Sequence, residues 1–351
     1  MTAPADTTAP ITGMAGYADH DAIHLHRLLT SGKLLIVAEH LIRGGHAMGG
    51  CRVTTYANEG AAIEDALRLS EAMTKKIVLA GLPYGGGKAV VMADPATDKD
   101  ATMLREVAEF VDRLGGSYVT APDVGLVPAD MVELRKHSEW VVGLDPTASY
   151  YTSVGVVAAV RAVAEWQLGT SDLSGVRATV QGLGNVGYDA ARLLAEAGAA
   201  VTVADPRADV AARAAAEFGA VVVGPDEIVG IETDFFVPCA LGGVINAGNV
   251  DTLPARFVVG GANNQLADPT LAARLHARGV LYAPDYLVNA GGVIGGAQEL
   301  VGFDEGIVRE RAEGIGPAVV AVLRRAEELG IDPLQAAELE LRERLAAEAA
   351  A

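Results

Sequence analysis

A glycine-rich turn between a strand-like run and a helical segment constrains the fold of this chain more than any other feature. The motif Gly-Leu-Gly-Asn-Val-Gly occupies residues 182–187, after the run 178–181 and before 188–194. In such a motif the glycines permit a tight turn, a close approach of a pyrophosphate and close helix–strand packing. The alternative is a turn that opens a helix and binds nothing. The residues that we predict to bind a dinucleotide are Gly182, Gly184, Asn185, Val186 and Gly187.

An acidic residue follows at the spacing that this motif requires. Asp205 ends the next apolar run, 18 residues after Gly187. Its carboxylate can bind both ribose hydroxyls of NAD and would repel the 2′-phosphate of NADP. Arg207, two residues further on, tempers that preference. We therefore expect NAD as the cofactor.

Strand-like and helical segments alternate through the second half of the chain. Strands are predicted at 178–181, 200–204, 221–223, 235–237 and 257–259 and near residue 281, after a long helix at 153–168. This alternation is typical of a doubly wound parallel sheet, the Rossmann arrangement. Further helices are predicted near 305–329 and at 333–349. The fold class is therefore α/β.

The length of 351 residues allows two domains with separate cores. The segment 145–149 is rich in turn residues and marks a border. We predict an N-terminal α/β substrate and oligomerisation domain over 1–147 and an NAD-binding Rossmann domain over 148–325. We expect the helix over 326–351 to pack back against the N-terminal domain.

Composition limits the partners and the location of the chain. The formal net charge of −18 argues against nucleic acid and anionic membranes, since both require a basic face. Only two cysteines are present, which fits a reducing cytoplasm. We expect neither a membrane span nor a signal peptide. His20, His24 and His26 are expected at the surface, and no metal is expected.

Two lysines lie twelve residues apart, and the second of them follows three glycines. Lys76 is suited to hold a substrate carboxylate, whereas Lys88 can lose its proton near neutral pH if it is buried close to another positive charge. Glycines 85–87 would let the backbone come close to the substrate. The alternative for Lys76 is a solvated charge on a helix.

The run Leu-Pro-Tyr-Gly-Gly-Gly-Lys at 82–88, continuing to Asp94-Pro95, resembles the active-site signature of the glutamate/leucine/phenylalanine/valine dehydrogenases. Other segments resemble that family's blocks in the same order; they are 47–52, 122–124, 182–187, 238–243, 261–264 and 289–292. The resemblance implies reversible NAD-dependent deamination of an L-amino acid to its 2-oxo acid and ammonium. It also implies a homo-oligomer assembled through the N-terminal domain.

The resemblance also assigns roles to single residues. Lys76 would hold the α-carboxylate, Lys88 would be the catalytic lysine, and Asp123 would handle protons at the amino group. Asn263 and Asn289 would orient substrate and nicotinamide. The remaining residues implied at the cofactor are Thr152, Cys239 and Ala240. Asp123 would otherwise only cap a turn, and the asparagines would only satisfy loop backbone.

Two positions bear on the substrate side chain. Glutamate enzymes of the resembled family have a lysine just before the Gly-Gly pair and a serine seven residues after the asparagine of the Asn-Ala-Gly-Gly block. This chain has Met48 and Gly296 there, which favours an apolar pocket. Branched-chain enzymes of the resembled family tend to carry a valine-like residue at the position of Gly296. The pair Gly295-Gly296 removes that side chain, which has the volume of about three methylene groups. The residues expected to line the pocket are Met48, Gly49, Val293 and Gly296.

We therefore expect a bulky hydrophobic substrate, aromatic or branched-chain. Departures from the family at Glu39, Arg43, His46, Tyr150 and Tyr151 leave open an unusual polar amino acid. A catalytically silent NAD-binding sensor or assembly protein is a further alternative. A 2-hydroxy acid dehydrogenase fits less well, since such enzymes usually need an Arg/His pair.

Overall fold

The computed structural model describes residues 10–349. The first nine and the last two residues, which the predicted domains include, lie outside the described residues. The chain divides into two compact units between Leu144 and Asp145, three residues before the predicted border.

The first unit is built on a mixed sheet. Among residues 10–144 its strands are β1 (Ala22–Arg27), β2 (Leu34–Glu39), β3 (Ala47–Thr54), β4 (Gly85–Met92) and β5 (Tyr118–Pro122). The strand order is β1-β2-β4-β3-β5. Strands β3, β4 and β5 run parallel, whereas β2 is antiparallel to β4 and β1. The helices of this unit are α1 (Glu59–Leu79), α2 (Ala101–Arg113) and α3 (Pro128–Arg135).

Helices cover both faces of this sheet, so its central strands are apolar on both sides. Ile36 of β2 and Val90 of β4 pack with Ala62 and Leu67 of α1. The alternate residues of the same strands, including Val37, lie on the other face of the sheet and pack with α2 and α3. This two-faced burial explains why every residue of β2 is buried.

Glycines 85–87 lie within strand β4 and are required by packing. A Cβ at Gly85 would lie 1.8 Å from the carbonyl oxygen of Leu41, and one at Gly86 would lie 2.0 Å from the backbone nitrogen of Thr74. A Cβ at Gly87 would lie 2.8 Å from the ring of Tyr118. These glycines therefore let helix α1 and the neighbouring segments pack tightly on β4. That they also bring the backbone close to a substrate stays a prediction.

Helix α1 extends further than the helical spacing over 60–75 predicts. The side chain of Asn58 caps its first turn by accepting a hydrogen bond from Ala61 N at 2.9 Å. The helix continues to Leu79, which places Lys76 in its last turn.

The second unit contains an all-parallel sheet. Among residues 145–349 its strands are β6 (Arg177–Gln181), β7 (Ala200–Ala204), β8 (Val221–Val222), β9 (Thr233–Pro238), β10 (Ala255–Val258) and β11 (Leu281–Tyr282). Their order is β11-β10-β9-β6-β7-β8. The direction of winding reverses between β6 and β9, as in the doubly wound Rossmann arrangement, and the predicted α/β fold is confirmed.

Helices surround this sheet and follow it to the end of the described chain. They are α4 (Ala148–Leu168), α5 (Asn185–Glu196), α6 (Ala208–Phe218), α7 (Leu271–Ala277), α8 (Asp285–Val288), α9 (Gly291–Glu299), α10 (Glu305–Glu313), α11 (Ile315–Leu329) and α12 (Pro333–Ala349). The predicted helix near 305–329 is therefore divided at Gly314. Helix α12 packs on α11 and α7, and its packing against the first unit stays a prediction. Within the described residues, no helix has both the length and the apolar character needed to cross a bilayer.

We expect Gly86→Ala to lower the free energy of unfolding by at least about 2 kcal/mol, because its Cβ would collide with the backbone of α1. The matched control is Gly230→Ala, since a Cβ there would meet nothing within 4 Å. That variant should stay within about 0.5 kcal/mol of the parent protein. Urea denaturation followed by circular dichroism measures both, and equal stability of the two variants would contradict the packing argument.

Candidate active site

Lys88 is a buried lysine in the middle of strand β4. It pairs in register with Ala38 of β2 and is only 4% exposed. Because side chains alternate along a strand, Lys88 shares a face with Gly86 and Val90, the face that packs on α1. Lys76 lies in the last turn of that same helix.

The ammonium group of Lys88 donates a hydrogen bond to Asp123 in a close ion pair. Asp123 follows strand β5, and its Oδ1 accepts a hydrogen bond from Val124 N at 2.5 Å. A Cβ at Gly50 would lie 2.8 Å from the Cβ of Asp123, so a larger residue at position 50 would displace this carboxylate. The structure therefore brings together Lys88 and Asp123.

Arg52 is a third charged residue at this site, and it is not among the residues predicted from the sequence. Its Nη2 lies 3.6 Å from Oδ1 of Asp123, and its Nη1 donates to Oδ2 of Asp65 at 2.9 Å. Asp65 is held in turn by the hydroxyl of Tyr56 at 2.7 Å and by Arg68 at 2.7 Å. The sequence feature that could have identified Arg52 is its charge, since every other residue of strand β3 is uncharged.

Burial, followed by the positive charge of Arg52, lowers the pKa of Lys88 to about 7. The charge of Lys76 acts in the same direction with a smaller effect, while Asp65 opposes it. The contact with Asp123 acts in the same direction as Asp65: it favours the ammonium form of Lys88, since a carboxylate stabilises a neighbouring positive charge. Lys88 can therefore gain and lose a proton near neutral pH.

Two of the predicted substrate residues lie in strand β3. Met48 is buried, opposite Gly86 of β4 and Val119 of β5. A Cβ at Gly49 would lie 1.7 Å from the carbonyl oxygen of Gly87, so close packing of β3 on β4 accounts for this glycine.

Arg43 and His46 bind the protein's own backbone. Arg43 Nη1 donates to the carbonyl oxygens of Leu82 and Tyr84, the latter at 3.3 Å. His46 Nδ1 lies 2.7 Å from the carbonyl oxygen of Gly116, which can only accept, so Nδ1 carries the proton. These contacts give both polar side chains a structural use within the first unit.

His20 differs from the expected surface location. It is buried, and its Nε2 lies 3.2 Å from the carbonyl oxygen of Leu67 and 2.9 Å from the hydroxyl of Ser70. Burial lowers the pKa of His20, which favours its neutral form. Across residues 10–349, no three His, Cys, Asp or Glu side chains are grouped so that they would hold a metal ion.

In the second unit the glycine turn has the geometry of an anion site. Gly182 has φ +88°, and a Cβ at Gly187 would lie 1.9 Å from the carbonyl oxygen of Gly182. A Cβ at Gly184 would instead point into open space. Helix α5 begins at Asn185 without a side-chain cap, so its first N–H groups are oriented toward that space. These residues fit a pyrophosphate.

The loops after β9 and β10 pack against this turn. A Cβ at Gly182 would lie 2.7 Å from the Cβ of Ala240, and Cys239 N donates to the carbonyl oxygen of Gln181 at 2.8 Å. A Cβ at Gly261 would lie 2.8 Å from Val186. The predicted residues therefore meet at the carboxyl ends of the strands, where the winding reverses and ligands bind in such sheets. Burial raises the pKa of the Cys239 thiol to about 11, so it is not a nucleophile at neutral pH.

Asp205 lies at the end of β7, beside the glycine turn. Its Oδ2 accepts a hydrogen bond from Leu183 N at 2.7 Å. Hydrogen bonds from the side chain and the backbone of Arg207, together with that of Leu183, lower the pKa of Asp205 to about 2. The carboxylate is therefore charged at neutral pH.

A second polar group surrounds Asn289, at the end of α8. Asn289 Nδ2 donates to Oδ1 of Asn263 at 2.9 Å, while its own buried Oδ1 accepts no hydrogen bond from the described residues. A Cβ at Gly291 would lie 2.2 Å from the carbonyl oxygen of Tyr151, so the start of α9 packs on α4 next to the buried Thr152. An orphaned buried acceptor fits an amide donor of a ligand.

The remaining predicted pocket residues lie on helix α9. Val293 is half-buried and Gly296 is buried. A Cβ at the neighbouring Gly295 would be 3.9 Å from the buried ring of Tyr151. This distance is an ordinary van der Waals contact, so a methyl group at position 295 would fit against the ring of Tyr151. That Gly296 enlarges the pocket stays a prediction.

Two family models match this chain. The model described as "Glu/Leu/Phe/Val dehydrogenase, dimerisation domain" matches residues 35–139. The model described as "Glutamate/Leucine/Phenylalanine/Valine dehydrogenase" matches residues 146–223 and 207–348.

Individual proteins are similar over nearly the whole length. Leucine dehydrogenase from Geobacillus stearothermophilus is 41% identical over 321 residues, which cover 90% of this chain and 88% of that protein. The crystal structure of L-tryptophan dehydrogenase from Nostoc punctiforme superposes with a TM-score of 0.86 at 35% identity, covering 95% of this chain and 97% of that one. A hetero-hexameric glutamate dehydrogenase from Thermus thermophilus superposes with a TM-score of 0.75 at 25% identity, covering 93% and 88%.

Proposed function

The chain belongs to the glutamate/leucine/phenylalanine/valine dehydrogenase family, and we propose that it deaminates a large hydrophobic L-amino acid with NAD as hydride acceptor. The overall reaction converts amino acid, NAD and water to 2-oxo acid, ammonium, NADH and a proton. The observation that carries this proposal is the ion pair between the buried Lys88 and the half-buried Asp123, in which the pKa of the lysine is lowered to about 7.

The first unit supplies the acid–base groups. The ammonium group of Lys76 pairs with the α-carboxylate of the substrate. A bound nicotinamide would supply the acceptor for the hydride that leaves the substrate Cα. Lys88 in its neutral form takes a proton from the water that adds to the resulting iminium carbon. As an ammonium group it then stabilises the negative charge on the carbinolamine oxygen. Asp123 takes a proton from the ammonium group of the substrate before the hydride leaves, and it returns this proton to the departing amine.

The second unit would hold the dinucleotide. The open space at Gly184 and the uncapped start of α5 suit the pyrophosphate, and Asp205 suits the ribose hydroxyls. The unpartnered Oδ1 of Asn289 would accept a hydrogen bond from an amide. The buried charge of Asp205 supports NAD over NADP, because a 2′-phosphate would be repelled.

An apolar side-chain pocket is supported by Met48, which is buried where a lysine would be needed to bind a distal carboxylate. Relatives named leucine and tryptophan dehydrogenase support a branched-chain or aromatic substrate. Because Arg43 and His46 are bound to backbone carbonyls, they give little support to the alternative of a polar substrate.

We also propose a homo-oligomer assembled through the first unit. Its family model is described as a dimerisation domain, and Leu25 and Leu29, on and just after the edge strand β1, are 49% and 88% exposed. A cytoplasmic location is supported by cysteine usage, since Cys51 and Cys239 lie in different units and form no disulfide.

A substrate panel tests the proposed function. We expect dinucleotide reduction with leucine, phenylalanine or tryptophan at a kcat/KM at least about tenfold above that for glutamate, because the buried Met48 replaces the lysine that would bind a second carboxylate. NAD should be preferred to NADP. Absorbance at alkaline pH with each L-amino acid measures this, and no reduction by any of them despite dinucleotide binding would favour the silent sensor.

Lys88→Met should lower kcat by at least about 100-fold, because the proposed base that activates water is lost. NADH affinity should change by less than about twofold, since Lys88 belongs to the first unit. Lys99→Met is the matched control, because Lys99 also pairs with an aspartate, Asp130, in the same unit. Steady-state kinetics and NADH titration measure these effects; parent-like turnover in Lys88→Met would remove Lys88 from the chemistry.

Arg52→Met should change the pH profile of deamination. Lys88 acts as a base when neutral, so kcat/KM rises with pH through the pKa of this lysine. Removing the positive charge of Arg52 raises that pKa, and the rising limb should move to higher pH. Arg68→Met, which also loses a contact to Asp65, is the control and should leave the limb in place. A limb that is unmoved or moves to lower pH in Arg52→Met would contradict this assignment.

A further inference from the structure

The carboxylate of Asp205 has no acceptor position left for a ribose hydroxyl. Its Oδ1 accepts hydrogen bonds from the backbone N–H of Arg207 at 2.9 Å and from Nε of the same residue at 2.9 Å. Its Oδ2 accepts from the backbone N–H of Leu183 at 2.7 Å and from Nη2 of Arg207 at 3.0 Å. A carboxylate offers about four lone-pair positions, so these four bonds saturate it.

Two of the four bonds are fixed and two are displaceable. The bonds from Leu183 and from the backbone of Arg207 belong to the turns that shape the site. The other two come from a guanidinium group on a side chain that is 56% exposed, whereas the side chain of Asp205 is only 5% exposed. Nη2 of Arg207 also donates to the carbonyl oxygen of Leu183 at 3.1 Å. The arginine side chain therefore covers both the acid and the glycine turn.

We propose that Arg207 is a displaceable cover on the ribose site and thereby sets the preference between the two dinucleotides. This inference rests on the proposed dinucleotide site. When the side chain of Arg207 leaves, one acceptor position opens on each oxygen of Asp205, which matches the two hydroxyls of an unphosphorylated ribose. The two backbone bonds remain and keep the carboxylate in place.

The same displacement has the opposite consequence for a 2′-phosphorylated dinucleotide. The guanidinium group that leaves Asp205 can pair in a two-pronged manner with a phosphate, which arginine binds well. Arg207 therefore competes with NADH for the carboxylate but favours the phosphate of NADPH. A residue with a purely structural role would not move the two affinities in opposite directions.

Binding titrations without substrate test this proposal, with the intrinsic fluorescence of NADH and NADPH as the readout. In Arg207→Ala, the Kd for NADH should fall about three- to fivefold, as expected for removal of a partly exposed ion pair. The Kd for NADPH should rise about tenfold, because a charge-assisted contact to phosphate is lost.

Two further variants sharpen the test. Arg207→Lys keeps the charge but cannot form the two-pronged contact, so NADH should bind about as tightly as to Arg207→Ala, while NADPH should bind more tightly than to that variant. Arg177→Ala is the matched control. Arg177 is a similarly exposed arginine that also pairs with an aspartate, Asp234, but it lies at the amino end of β6. It should change neither affinity by more than about twofold.

The outcomes separate this inference from the proposed function. If Arg207→Ala bound NADH no more tightly than the parent protein, or bound NADPH with unchanged affinity, the proposed role of Arg207 would be wrong. The proposed dinucleotide site would still stand. Failure of the parent protein to bind either dinucleotide would overturn both.

Discussion

The burial of the Lys88 amine is the constraint on which the rest of the first unit depends. An ammonium group taken out of water is unstable unless it is paired or loses its proton, and this one has both options. Asp123 provides the partner, and Arg52 provides the neighbouring charge that favours proton loss. Gly86 of strand β4 leaves no space for a side chain between this strand and helix α1, so the two pack closely beside Lys88. The close packing that buries Lys88 is therefore also the main cause of its lowered pKa.

The second unit uses small residues and backbone groups in a related way. Its parallel strands direct their carboxyl ends to one edge of the sheet, where the glycine turn, the loop at Ala240 and the acid Asp205 meet. Two backbone N–H groups and the side chain of Arg207 hold the acid, and the first N–H groups of α5 have no side-chain cap. The pKa of Asp205 is lowered to about 2, so this acid does not change its charge in the neutral range, in contrast to Lys88.

Features that depend on local pattern were predictable from the sequence, and features that depend on distant partners were not. The glycine turn, its flanking strand and helix, and the acid after β7 follow from spacing within one βαβ unit. Arg52 was missed because its role comes from Asp65 and Asp123, which lie on two other segments. The proximity of the Tyr151 ring to Gly295 likewise joins residues more than 140 positions apart.

The ionisation of Lys88 can be measured directly by NMR titration of protein labelled with ¹³C at lysine Cε, with the Lys88→Met variant identifying the signal. The account predicts a transition for this lysine near pH 7, because burial and Arg52 disfavour its charged form. A transition near the ordinary value of 10.5, like those of solvent-exposed lysines, would contradict the claim that the fold makes this amine a base at neutral pH.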